Sequence, residues 1–129
     1  KYELGNIVTS PFDYYTPTAL NDVVFRFASD MDSAYFFSSF SIEQIPYLGE
    51  DFILKILNSP FREITVMHFE PIGWQIKNVP KNNQGYYNND LFPILRKLDS
   101  NKLIKIHKVE ADTFGDSKNP GSKVVWGRR

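Results

Sequence analysis

DSAYFFSSFSIEQIP, residues 32–46, is the stretch on which the fold turns. Its apolar run, Ala34 to Phe37, passes without alternation into two small hydroxyl residues, Ser38 and Ser39. SIEQI then reads as a turn into a short helix that Pro46 ends. A continuous apolar run of this kind predicts a strand buried in a parallel sheet, and the switch to small polar residues marks its carboxyl end. The same pattern returns at Ile64 to Pro71, ITVMHFEP, where the apolar run ends in His68, Glu70 and Pro71. In open α/β sheets ligands sit beyond the carboxyl ends of strands, so two such tips side by side predict a site.

Between the tips, Glu50 to Leu57 reads as a helix, with Phe52, Ile53, Ile56 and Leu57 on one face and Asn58-Ser59-Pro60 as its stop. Strand, helix and strand make a βαβ unit. Upstream, Asn6 to Thr9 and Val23 to Ala28 read as strands, and Asp30 and Asp32 occupy the turn that follows the second. That turn is short enough to favour an antiparallel hairpin, which pulls against a parallel sheet. Downstream, Pro71 to Asn89 reads as a long polar loop containing Gly73, Trp74 and Gly85, a lid or substrate loop. Asp90 to Leu98 carries the next helical stripe, Leu91, Ile94, Leu95 and Leu98, capped by Asn89, with Pro93 tolerated in the first turn. Leu103 to Val109 and Lys123 to Trp126 read as strands joined by a turn-rich link and pairing antiparallel. The expectation is one α/β domain over residues 1–129, Rossmann-like, with a mainly parallel sheet and an antiparallel hairpin at its carboxyl-terminal edge.

Bulk properties exclude several function classes. The 15 Lys and Arg balance the 15 Asp and Glu, so no long-range field recruits nucleic acid or an anionic membrane surface. There is no cysteine, which removes disulfides and thiolate metal sites. No transmembrane or signal-peptide pattern is present, and together these features predict a cytoplasmic chain without a membrane partner. Aromatic residues are abundant, with 11 Phe and 7 Tyr. They fill a core or form a stacking surface for sugars or bases.

His68 and Glu70 form an H-x-E pair on one face of a strand end. That spacing occurs in zinc deaminases, but the cysteine pair of those sites is missing, and a zinc site is not predicted. The pair is read either as catalytic or substrate-orienting, or as a hydrogen-bonded structural pair. Ser38, Ser39 and Ser41 lack the glycines of a nucleophile elbow, and their use is to leave room for a ligand and offer hydroxyls. No phosphate-binding glycine motif occurs. Glu43 and Gln44 open the short helix beside the crevice, where the helix dipole favours an acid and a substrate contact is in reach.

SSFSIEQIP, HFEPIGWQ and YNNDLFPILRKL followed by NPGSKVVWGR resemble, in that order, the second half of class I S-adenosylmethionine-dependent methyltransferases. The resemblance spans Val23 to Arg129, with Gln44 where a histidine usually stands. It implies a small-molecule or saccharide acceptor and S-adenosylmethionine as cofactor. It places Asp30 near the adenine, Ser38, Ser39 and Phe40 along the methyl-donor channel, Glu43, Gln44 and Trp74 toward the substrate, and His68 and Glu70 as catalytic residues. The glycine-rich cofactor loop of the family is not visible in the chain. Methyl transfer needs little beyond positioning, and a base such as His68 helps only if the acceptor must lose a proton. The alternative is a non-catalytic α/β module that binds a ligand or saccharide with its aromatic loops.

Overall fold

The structure, a computed structural model, describes residues 12–16, 20, 33–81 and 88–129. Asp30 and the expected strands at residues 6–9 and 23–28 lie outside the described residues. The architecture is a four-stranded sheet with helices against one face. The strands are β1 (Ser33–Ser39), β2 (Glu63–Glu70), β3 (Ile104–Gly115) and β4 (Pro120–Arg128), and the helices α1 (Glu50–Leu57), α2 (Gly73–Lys77) and α3 (Leu91–Ser100). A single 3-10 turn, Ile42–Gln44, follows β1.

The spatial order is β1-β2-β4-β3. β1 and β2 are parallel, whereas β2 with β4 and β3 with β4 are antiparallel. The expected mainly parallel, Rossmann-like sheet is therefore not what the chain builds: the sheet is mixed, and most of its pairings are antiparallel. Nor is the closing hairpin appended at an edge. β4 inserts between β2 and β3, so that β1, β2 and β3 run one way and β4 alone is reversed. Side-chain chemistry explains the insertion. β4 buries Val124 and Trp126 completely, whereas β3 carries Lys105, His107, Lys108 and Glu110. Charged residues suit an edge strand, which must not recruit further strands, and apolar ones suit the interior.

Alternation along β1 and β2 assigns the faces. Ser38, Ile64, Val66, His68 and Glu70 point into the core, while Tyr35 and Phe37 are 73% and 75% exposed on the opposite side. α1 buries Phe52, Ile53, Ile56 and Leu57, and α3 buries Leu91, Phe92, Ile94, Leu95 and Leu98. Each large aliphatic side chain buried this way contributes roughly 2 kcal/mol.

Polar residues fasten the joins. The amino end of α1 has no cap of its own, and Asp90 supplies one across space, accepting from the Leu48 and Gly49 amides at 2.8 and 2.9 Å. Asn88, not Asn89, caps α3, its Oδ1 accepting from the Leu91 amide at 3.0 Å. At the other end of α1, the Arg128 guanidinium donates to the carbonyls of Leu57, Ser59, Phe61 and Arg62. That places a cation where the helix dipole is negative and closes the α1–β2 link. Within the expected long loop, residues 73–77 instead form α2. It is tied down by buried Gln75, which donates to Asn88 and accepts from the Phe92 amide.

Candidate functional site

Register brings the two strand tips together. Ser38 pairs with His68 and Ser39 with Phe69, and the Phe40 amide continues the ladder to the Phe69 carbonyl at 2.9 Å. Ser38, His68 and Glu70 thus share the inner face at one rim. Just past the tip, Phe40 adopts φ +48°, a left-handed conformation rare for a bulky side chain, and this turns the chain into the 3-10 turn.

His68 is 1% exposed, and both of its ring nitrogens are engaged. Nδ1 lies 2.8 Å from Ser38 Oγ, and Nε2 lies 3.0 Å from the indole nitrogen of Trp126. An indole N–H can only donate, so Nε2 must accept and the ring proton must sit on Nδ1. Nδ1–H then donates to Ser38 Oγ, which leaves the Ser38 hydroxyl hydrogen free to point elsewhere. Burial drives the His68 pKa down to about 4 from 6.5, so the ring is neutral at physiological pH.

Glu70 is fully buried. One carboxylate oxygen, Oε1, accepts from the Ser41 and Ile42 amides at 3.3 and 3.2 Å and so holds the start of the 3-10 turn. Oε2 makes no hydrogen bond of ordinary geometry among the described residues. Burial pushes the carboxyl above its ordinary range, opposed by the Ser38 hydroxyl and by the amides of Ile42, Ser41 and Glu43. The Ser38 hydroxyl hydrogen, left free by Nδ1–H, is thus turned toward Glu70.

Tyr14 completes the rim. Its hydroxyl lies 2.7 Å from Ser41 Oγ. Burial raises its pKa, the Ser41 bond lowers it, and the charge of Glu70 raises it again. Beside these groups a cleft of about 170 Å3 opens between β1, α1 and the segment 12–16, with Ser38 and His68 at its polar end.

Not every predicted residue gathers here. Ser38 is internal, but Ser39 is exposed on the other side of the strand, and Phe40 packs edge-on against Phe114 at 5.7 Å. Phe69, which points away from the core, packs on the same Phe114 ring, so Ser38, Ser39 and Phe40 do not line one channel. Glu43 and Gln44 lie in the 3-10 turn at the rim, bonded weakly to each other at 3.5 Å. Trp74 lines a different cleft of about 200 Å3, beside Pro71, Lys77 and Asp112. Two participants lie outside the predicted catalytic, cofactor and substrate residues: Trp126, and Tyr14, which the sequence offers only as part of an aromatic stacking surface. For Trp126 the signal was present: a tryptophan inside an apolar strand needs an acceptor for its N–H, and a neutral histidine is a natural one.

The cleft beside Ser38 is smaller than the roughly 300–1,000 Å3 usual for drug-sized ligands. Ser38 is tied to His68, and Phe40 turns away. No group of His, Asp and Glu suited to a metal ion occurs among the described residues, and no helix there is long and apolar enough to cross a membrane. Comparison with family models finds no match, and comparisons with curated proteins and with solved structures find none either.

Proposed function

We propose that the chain is a methyltransferase-like domain whose described residues supply the small-molecule side of the site. The observation that carries the reading is the shared rim. Two parallel strands joined through a turn and a helix end together, and their tips hold a fixed hydroxyl and a neutral imidazole at the end of a cleft, with a buried carboxyl next along the rim. Methyl transfer is a reaction of positioning, for which a rigid rim suffices. In this reading Ser38 orients the substrate, while His68 and Glu70 act through others. His68 fixes the direction of the Ser38 hydroxyl, and Glu70 fixes the 3-10 turn that carries Glu43 and Gln44. The methyl donor, S-adenosylmethionine, is a partner that the described residues do not hold by themselves. A cytoplasmic location belongs to the same proposal.

A second reading, a binding module without catalysis, is favoured by one observation: neither His68 nitrogen is free to move a proton. Thermal unfolding with S-adenosylmethionine and with S-adenosylhomocysteine separates the two. A ligand at 100 times its Kd stabilises by about 2.7 kcal/mol, a shift of several degrees for a chain of this size. A shift with either nucleoside supports the first reading. No shift at millimolar concentration, for a chain that unfolds cooperatively, removes it in favour of the second.

A further inference from the structure

The cleft beside Ser38 has a composition that selects its occupant. Its walls are rings. Phe12 and Tyr14 meet edge-on at 5.1 Å, and Tyr14 and Phe52 do so at 4.9 Å, with Phe36 on the facing strand. Rings in edge-to-face array leave faces and edges for one more ring. The volume of about 170 Å3 suits a single ring, since an apolar cavity of about 150 Å3 is enough to take up benzene.

Polarity is confined to one end. The His68 nitrogens are spent on Trp126 and Ser38, so the polar group an entering molecule meets is the Ser38 hydroxyl. Oγ already accepts from Nδ1–H and turns its own hydrogen toward Glu70, so what it offers an entering molecule is its second acceptor lone pair. Among the described residues the cleft is lined by no Lys or Arg, so an anionic ligand would be buried without a counter-charge. A saccharide would bring many hydroxyls to a wall that offers one or two polar partners, leaving the rest unpaired.

We propose that this cleft binds a single neutral aromatic ring bearing one hydrogen-bonding substituent, a phenol-like molecule, with the ring between Phe12, Tyr14, Phe36 and Phe52 and the substituent on Ser38. The inference rests on the small-molecule reading above and names the class of molecule. Binding does not require that a methyl group be transferred.

The test is a titration of the 15N-labelled full chain with phenol, benzene and cyclohexanol, followed by amide chemical shifts. Phenol is expected to move the Ser38, His68 and Phe52 amides, to bind about tenfold more tightly than benzene, one good hydrogen bond, and to bind more tightly than cyclohexanol, which keeps the hydroxyl but lacks the aromatic ring. Equal affinities for phenol and benzene, or shifts confined to Tyr35 and Thr65 on the outer face, overturn the proposal. Ser38→Ala is expected to erase the preference for phenol over benzene. Phe36→Trp, at a half-buried position on the cleft wall, is expected to abolish binding of both while the melting temperature is kept. Binding that survives Phe36→Trp overturns the proposal, even if Ser38→Ala does not fold. Phenol binding without any effect of S-adenosylmethionine leaves this inference standing and removes methyl transfer, and the reverse result removes this inference alone.

Discussion

Acidification should destabilise the fold through His68, by an amount the structure sets. The ring is buried and neutral, with a pKa of about 4 against 6.5 for an exposed imidazole. Its folded-state value is lowered, so between pH 6.5 and about 4 the unfolded chain binds the proton that the folded chain refuses. Stability is therefore complete above pH 6.5 and is lost as pH falls through that window. At 1.36 kcal/mol per tenfold step in proton affinity, the gap amounts to about 3 kcal/mol. The perturbation is His68→Gln, whose amide oxygen can still accept from the Trp126 indole but which does not titrate. Urea unfolding of both proteins from pH 8 to pH 4.5 is the assay. The wild type is expected to lose stability relative to the variant by about 2–3 kcal/mol over that range. Parallel pH profiles would refute the assignment of a buried, neutral His68.

Glu70→Gln should act with the opposite sign. The Glu70 carboxyl is raised, so its contribution is complete below the ordinary carboxylate range and is lost as pH rises through the folded value. The variant should gain on the wild type as pH rises above the ordinary carboxylate range, and a constant difference in urea midpoints would count against this. Arg128→Ala strands the carbonyls at the end of α1 and along the α1–β2 link, and should cost about 3 kcal/mol by urea unfolding. Arg128→Lys should recover only part, because an ammonium lacks the fork that reaches four carbonyls. Asp90→Ala removes the cap on the Leu48 and Gly49 amides and should cost about 1–2 kcal/mol, with amide exchange accelerated first at those two positions.

Local structure was legible wherever a periodic pattern was long enough. The stripe Phe52, Ile53, Ile56, Leu57 defines α1 to the residue, and the stripe from Leu91 to Leu98 defines α3 to within two residues at its end. α2 was hidden because its five residues are too few for a repeat and because Pro71 and Gly73 read as breakers. The order of the strands was only half legible. That β3 and β4 pair is local, but which of them meets β2 depends on comparing the charges of Lys105, Lys108 and Glu110 with the apolar surface of Val124 and Trp126. The shared rim of β1 and β2 was visible in the matched polar endings SS and HFE. The side chains that complete it were not, because Tyr14 reaches Ser41 across 27 positions and Trp126 reaches His68 across 58.

The placement of β4 has a consequence during synthesis on the ribosome. Of the four described strands, the one made last belongs between two that precede it, so β3 has no partner in the sheet until β4 has also emerged. A nascent chain that stops short of Pro120 leaves one side of β2 without a neighbour and Val66 without its cross-strand companion Trp126. Assembly of this half of the sheet must then wait for the finished hairpin to arrive as a unit, and the interval before that is when the chain is most open to pairing with the wrong strand.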